Sequence, residues 1–335
     1  MKVLKVVQSH QFEFEERALP VPAYNEVLLK MNYCGICGSD VKVFTGAHPY
    51  GAFPRILGHE ISATLIRVGD KILPEDQRVS VSVNPYFTCG HCSACLGGKR
   101  NCCLRNQTMG VQRDGAYAEY ITVPKDRIIT NKFNLDPKLL ALSEPYGVGL
   151  HAVIRADVKK DDKVMIFGAG PIGLFCLMSS LSRGAIVNIA DPHNEKLEIA
   201  MALGARDYVN TKSNDMSGFF QASTWGAGYD LCIDATGSKE AIKYCFDFVK
   251  TGGKVVFVGH SKEEMSMPHS DIIKKELTIF ASRNSIEIEQ SQEEIKNHPR
   301  TDKVITNVVP FAEVPEFYKR LVAKDGSIVK ALIEF

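Results

Sequence analysis

Four cysteines in the spacing Cys89-x2-Cys92-x2-Cys95-x7-Cys103 sit in a Gly- and Lys-containing loop with almost no apolar content to hold it together. Such a loop needs a cross-link. Four thiolates placed tetrahedrally around zinc leave no open position, so a site of this kind is structural rather than catalytic. Cys102, adjacent to Cys103, competes as fourth ligand, and His91 offers a ring nitrogen between two of the cysteines. Disulfides suit exported chains. The opening residues MKVLKVVQSH lack the apolar stretch and cleavage site of a secretory signal, so a cytoplasmic location and reduced cysteines are expected.

A second set is dispersed: Cys37 in CGICGSD, His59 and Glu60 in ILGHE, and Glu144 in SEPYG. Glycine or proline stands near each and sets a backbone turn. A cysteine, a histidine and a carboxylate make an open zinc site, whose last position can take water or a substrate oxygen.

The third motif is Gly168-Ala169-Gly170-Pro171-Ile172-Gly173, directly after the run KVMIF and opening the run GLFCLMSSL. At a strand-to-helix turn, glycine lets a pyrophosphate approach the backbone, and the helix N-terminus supplies amide donors and a favourable dipole. Asp191 lies 18 residues beyond Gly173, where a carboxylate can accept both ribose hydroxyls of an adenosine. The ligand expected is NAD rather than NADP, because Asp191 would face the extra phosphate. Lys196, Ala235, Val258 and Gly259 complete the candidate cofactor residues.

These groups need elements to position them. From residue 1 to about 140 the chain carries short β-branched runs such as Glu26 to Met31, Glu60 to Val68 and Gln77 to Val83, separated by turn residues. From about 147 to 275 the pattern alternates strand and helix: Lys163 to Phe167, a helix from Pro171, Ala185 to Asp191, and a helix ending near Gly204. Further strands are expected at Asp207 to Asn210, Tyr229 to Asp234, Lys254 to Val258 and Leu277 to Ala281, giving about six in a doubly wound sheet. The runs Lys303 to Val309 and Ser327 to Ile333 are too few for a domain and should rejoin the N-terminal one. The expected fold class is α/β: a β-rich catalytic domain over residues 1–146 and 276–335, with a Rossmann domain over 147–275 inserted in it.

At 335 residues, with 45% hydrophobic and 24% charged, the chain can bury two cores. Forty basic residues against 39 acidic leave a net charge of +1, so bulk charge provides no pull toward nucleic acid or an anionic membrane. The expected partner is a small molecule.

GICGSD, PRILGHE, the CGHCSAC lobe with Cys103, GAYAEY, Glu144-Pro145 and GAGPIG together resemble the zinc-containing medium-chain dehydrogenases, in that family's order and over essentially the whole chain. The resemblance implies a GroES-like catalytic domain and two zinc ions per chain. It makes Cys37 and His59 ligands of the catalytic zinc, with Glu60 and Glu144 binding it directly or through water, and assigns Cys89, Cys92, Cys95 and Cys103 to the structural zinc. It also implies a homo-oligomer, dimer or tetramer. The segment KKELTIFASRN is similar to the polyol and sugar-acid branch, in particular the bacterial L-gulonate or L-galactonate 5-dehydrogenases. Related branches oxidise sorbitol-like polyols or L-threonine.

In that family Ser39 matches the hydroxyl that first takes the substrate proton. Many relatives carry histidine three residues later, where this chain has Lys42; Lys42 or His48 is the candidate for continuing the relay. A hexonate carboxylate needs a cation. Arg283, after the run LTIFAS, presents a planar fork for it, with Asn284 beside it for hydrogen bonds and Lys42 as a second candidate cation. Two other readings compete: a zinc-ribbon regulatory protein with a nucleotide-sensing Rossmann domain, and a zinc-free quinone reductase relative.

Overall fold

The computed structural model describes residues 1–212, 215–261, 264 and 266–335. It divides into two compact units, Met1–Glu144 with Ile288–Asn297 and Ile305–Phe335, and Pro145–Glu287 with His298–Val304. Among the described residues no helix is long and apolar enough to cross a membrane.

The first unit is built on an eight-stranded sheet. Its main path runs Ile128–Thr130, Ser80–Val83, Glu60–Val68, Glu26–Ile36, Lys330–Glu334, Ile305–Pro310. Glu26–Ile36 is central, and Val27, Leu28 and Leu29 are all at most 2% exposed, so both of its faces are covered. This explains a near-continuous apolar run where a half-exposed strand would alternate. Lys330–Glu334 pairs antiparallel with it, Ile333 opposite Cys34 and Ala331 opposite Ile36. Tyr117 and Tyr318, both wholly buried, share a hydroxyl hydrogen bond of 2.9 Å within this core.

The second unit holds a six-stranded sheet in the order Asp207–Asn210, Ile186–Asp191, Lys163–Phe167, Tyr229–Asp234, Val249–Phe257, Thr278–Ala281. Every pairing is parallel. The order reverses beside Lys163–Phe167, the first strand in sequence, which makes the sheet doubly wound and places a topological switch point at the end of that strand. The helix Pro171–Ser182 follows it, with Leu174 to Met178 inaccessible to solvent.

The return to the first unit comes later than the expected residue 276. Thr278–Ala281 is the sixth strand of the parallel sheet, and the second unit runs on to Glu287 and takes back 298–304. The reason is tertiary: the apolar run pairs alongside Val249–Phe257, and Glu287 Oε1 lies 2.8 Å from His151 Nδ1 on the helix Ser143–Arg155. Arg283 and Asn284 therefore belong to the nucleotide-type unit, not to the segment expected to rejoin the catalytic domain.

Candidate active site and metal centres

Cys37 ends the central strand's run and stands as the N-cap of the helix Gly38–Phe44. Asp40, in that helix and wholly buried, takes the Cys37 N–H on Oδ2 at 2.9 Å and the Gly58 N–H on Oδ1 at 3.1 Å. It thereby ties the turn at Cys37 to the turn before His59. His59 Nδ1 faces Asp40 Oδ1 at 3.6 Å and has no hydrogen-bond partner. Glu60 opens the strand Glu60–Val68 opposite Gly35, and a Cβ on Gly35 would fall 1.8 Å from Glu60 Oε2. Glycine is required there because the carboxylate occupies the space a side chain would fill.

The donor atoms of Cys37, His59 and Glu60 all lie within 4.8 Å of one another. A thiol, an orphaned imidazole nitrogen and a carboxylate gathered in a buried turn fit a borderline-soft cation with a position to spare. Burial alone would lower the His59 pKa; Asp40 and Cys37 outweigh it and hold it well above the usual histidine range. Glu60 is not free: Lys330 Nζ holds both of its oxygens. Glu144, 5% exposed, lies outside that group of three, and its Oε1 accepts from the Tyr86 hydroxyl. Burial raises the Glu144 pKa, His59 opposes this and Glu60 adds to it, so the carboxyl senses both.

Cys89, Cys92, Cys95 and Cys103 form the second group, again within 4.8 Å. Cys103 Sγ stands 3.6 Å from Cys89 Sγ and 3.9 Å from Cys92 Sγ. Four sulfurs about 2.3 Å from one ion at tetrahedral angles stand about 3.8 Å apart, whereas a disulfide needs about 2.05 Å. The separations fit a closed four-thiolate site and exclude disulfides in this state. N–H groups of Cys89 and Arg105 point at Cys103 Sγ, each at 3.3 Å, and lower its pKa. Backbone donors from Leu104 and Cys95 bring Cys92 down to about 6, so that thiolate is present at neutral pH. His91 is engaged instead with its own turn: Nδ1 lies 2.7 Å from Cys89 O. Cys102 is outside the group.

In the second unit Gly168 adopts φ +101°, and a Cβ on Gly173 would strike Gly168 O at 1.8 Å. Gly170 has open space around it and caps the helix that begins at Pro171. Two glycines serve packing and the third leaves room, as a pyrophosphate turn requires. Ile172 continues the helix's first turn. Asp191 ends its strand and is 6% exposed; Oδ2 accepts the Ala169 N–H at 2.8 Å and Oδ1 the His193 N–H at 2.9 Å, with His193 Nδ1 also at 2.9 Å. Lys196 lies in the helix Asn194–Leu203, which starts just beyond. Ala235 follows the strand Tyr229–Asp234, and Val258 and Gly259 follow Val249–Phe257; the Val258 and Gly259 N–H groups both donate to Asp234 O at 2.9 Å.

Of the remaining expected residues, Ser39 and Lys42 sit three apart on the helix Gly38–Phe44, Lys42 exposed. The His48 N–H reaches back to Lys42 O at 3.0 Å, and its Nδ1 accepts the Tyr50 N–H at 3.2 Å. Arg283 is exposed just past the sixth strand, and Asn284 has φ +51°.

Residues 23–132 match the alcohol dehydrogenase GroES-like domain, and residues 171–297 match the zinc-binding dehydrogenase domain. The L-galactonate-5-dehydrogenase of Escherichia coli K12 is 33% identical over 100% of this chain and 99% of its own. The chain belongs to the zinc-binding alcohol dehydrogenase family. The sorbitol dehydrogenase of Halalkalibacterium halodurans is 30% identical over 85% of this chain and 84% of its own. A solved structure described as a short chain alcohol dehydrogenase of Escherichia coli CFT073 complexed with NADH is 28% identical, covers 100% of this chain and 99% of its own, and superposes with a TM-score of 0.92.

This alcohol dehydrogenase also uses residues its sequence did not single out. Asp40 orders the cluster through two backbone amides and the His59 ring; an acid three residues after Cys37, at the third position of a helix, was the available signal. Asp234 accepts the N–H groups of Thr236 and Gly237 and builds the turn beyond Ala235. Lys330 and Tyr86 carry no local signal, since each is defined by a partner far away in the chain.

Proposed function

We propose that this dehydrogenase oxidises a secondary hydroxyl of a hexonate of the L-gulonate or L-galactonate type, with NAD as acceptor, to give a keto-hexonate, NADH and a proton. The observation that carries the reading is the open cluster of Cys37, His59 and Glu60 in a chain that also holds the Gly168 to Gly173 turn and Asp191. Cys37, His59 and Glu60, with Glu144 as direct or water-linked carboxylate, would hold zinc, which would supply Lewis acidity, the effect that lowers the pKa of bound water to about 7. The four-cysteine group takes a second zinc ion and fastens its loop.

The chain's own residues do the rest. Asp40 keeps His59 oriented, and Lys330 offsets the Glu60 charge inside the protein. Ser39 takes the alcohol proton, and His48 or Lys42 passes it outward. Gly168, Gly170, Gly173 and the helix amides at Pro171 and Ile172 receive the pyrophosphate, while Asp191 accepts from the adenosine ribose. Lys196, Ala235, Val258 and Gly259 line the same nucleotide. Arg283 pairs with the hexonate carboxylate, and Asn284 adds a hydrogen bond. The 33% identity to an L-galactonate-5-dehydrogenase over the full chain supports the hexonate assignment. We further propose a cytoplasmic homo-oligomer, dimer or tetramer.

The test is formation of NADH by the purified protein with hexonates, polyols and L-threonine in parallel. Turnover fastest on a hexonate is the expected result. Faster turnover of sorbitol or threonine would move the chain to another branch, and binding of NADH with no turnover on any alcohol would leave a nucleotide sensor.

A further inference from the structure

We infer that Tyr86 is a positioning residue: its buried hydroxyl anchors Glu144 Oε1 and so fixes the second carboxylate of the candidate catalytic metal site. This rests on the proposed metal reading of Cys37, His59 and Glu60. A carboxylate on the first turn of a helix has several rotamers, and Glu144 is the second residue of Ser143–Arg155. With one oxygen engaged by a phenol, a single arrangement is selected, the usual work of an outer partner at a metal centre.

Tyr86 is well fixed for this work. Its N–H donates to Asn84 Oδ1 at 3.0 Å, and its carbonyl accepts from Arg127 Nη1 at 2.9 Å. Its strand, Tyr86–Phe87, pairs with Gln107–Thr108, and the chain between those strands carries the four cysteines. Arg113 and Arg127 both pack on the next ring, Phe87, at 4.0 and 5.3 Å from its centroid. Tyr86 is 6% exposed, and Glu144 accepts its hydroxyl. A phenylalanine would fill the same space without a polar atom to satisfy. A buried hydroxyl whose acceptor is Glu144 Oε1 therefore acts on that carboxylate.

The experiment uses the metal-loaded full chain, with zinc and then with Co2+ in its place. Wild type, Tyr86→Phe, Glu144→Gln and the double variant are compared for release of each metal to a chelator, the visible Co2+ spectrum and the melting temperature. Tyr86→Phe is expected to speed release from the Cys37 site by about 10- to 100-fold and to shift its Co2+ bands. The four-cysteine metal should leave at the wild-type rate, and the double variant should match Glu144→Gln alone. Unchanged release and spectrum in Tyr86→Phe would overturn the proposal. So would an equal effect of Tyr86→Phe in the Glu144→Gln background, which would route it past Glu144, or faster loss of both metals with a lower melting temperature, which would make the hydroxyl part of the general packing. A wild-type chain holding only the four-cysteine metal would overturn the underlying metal reading and this proposal with it; two bound ions with an indifferent Tyr86→Phe would overturn this proposal alone.

Discussion

Lys330 Nζ stands 2.7 Å from Oε1 and 2.9 Å from Oε2 of Glu60, with both side chains closed off from water and 270 positions apart in the chain. The ammonium also donates to Ile36 O at 3.1 Å. Burial lowers the Lys330 pKa, but Glu60 and Cys37 more than offset this and raise it overall. Lys330→Met leaves a buried carboxylate without its cation and should cost about 3–5 kcal/mol of stability by urea denaturation. Adding Glu60→Gln should return part of that loss; no recovery would mean that the lysine contributes through packing instead.

Metal analysis of the purified chain should find two zinc ions. The open site should yield to chelator first, with loss of turnover. Removal from the four cysteines should come later and unfold the loop over residues 89–103, seen as new protease cleavage there. A stoichiometry of one would contradict the pair of sites.

Cofactor choice should favour NAD over NADP. A unit charge about 4 Å from Asp191 costs roughly 4 kcal/mol at an effective dielectric near 20, enough for a discrimination of order a thousandfold. His193 Nδ1, 2.9 Å from the same carboxylate, reduces the margin when protonated. Asp191→Asn removes the charge and keeps one of the two oxygens that accept the Ala169 and His193 amides, and should raise NADP use relative to NAD. Equal kcat/KM for both cofactors in the wild type would place Asp191 elsewhere.

If Arg283 holds the substrate carboxylate, Arg283→Ala should cost about 2–5 kcal/mol in kcat/KM for a hexonate and leave NADH affinity nearly intact. Arg283→Lys should recover little, since the planar fork is lost. An equal loss toward a neutral polyol would contradict the assignment.

Glu287 has an acid-side signature. Burial raises its pKa, but His151 and the Ile286 N–H outweigh that and hold the carboxyl below its ordinary 4.5. A depressed folded-state pKa gives stability that is present above pH 4.5 and is lost as the pH falls below 4.5 through the folded value. Glu287→Gln should therefore lower the melting temperature at neutral pH, with the gap to wild type closing on acidification below that point. A constant gap across pH would point to lost packing.

What the sequence made legible was chemistry carried by neighbours. Cys89, Cys92, Cys95 and Cys103 lie in one loop, and the turn from Gly168 to Gly173 has its strand and helix on either side, so spacing points to the first and spacing with its flanking pattern to the second. The dispersed cluster was readable as a set of residue types suited to zinc, with its ligand roles implied only by the resemblance, because Cys37 and His59 meet through the Asp40 bridge. Lys330 was invisible for a physical reason: its charge makes sense only against Glu60, and the register between Lys330–Glu334 and Glu26–Ile36 is a tertiary fact. The boundary near 276 failed similarly, since the segment up to Glu287 is retained by a side-chain contact to His151 that no local propensity encodes.

The placement of Lys330–Glu334 next to Glu26–Ile36 also sets an order of events during synthesis. As the chain leaves the ribosome, residues 145–287 carry all six strands of their parallel sheet, while the earlier residues 1–144 still lack the strand that pairs beside Glu26–Ile36. Until that strand arrives, Glu60 has no cation to bury against, and Cys37 and His59 sit on an unfinished sheet. The buried Glu60–Lys330 pair beside Cys37 and His59 can therefore close only after the nascent chain has passed residue 330, whereas the four-cysteine loop has all its ligands by residue 103.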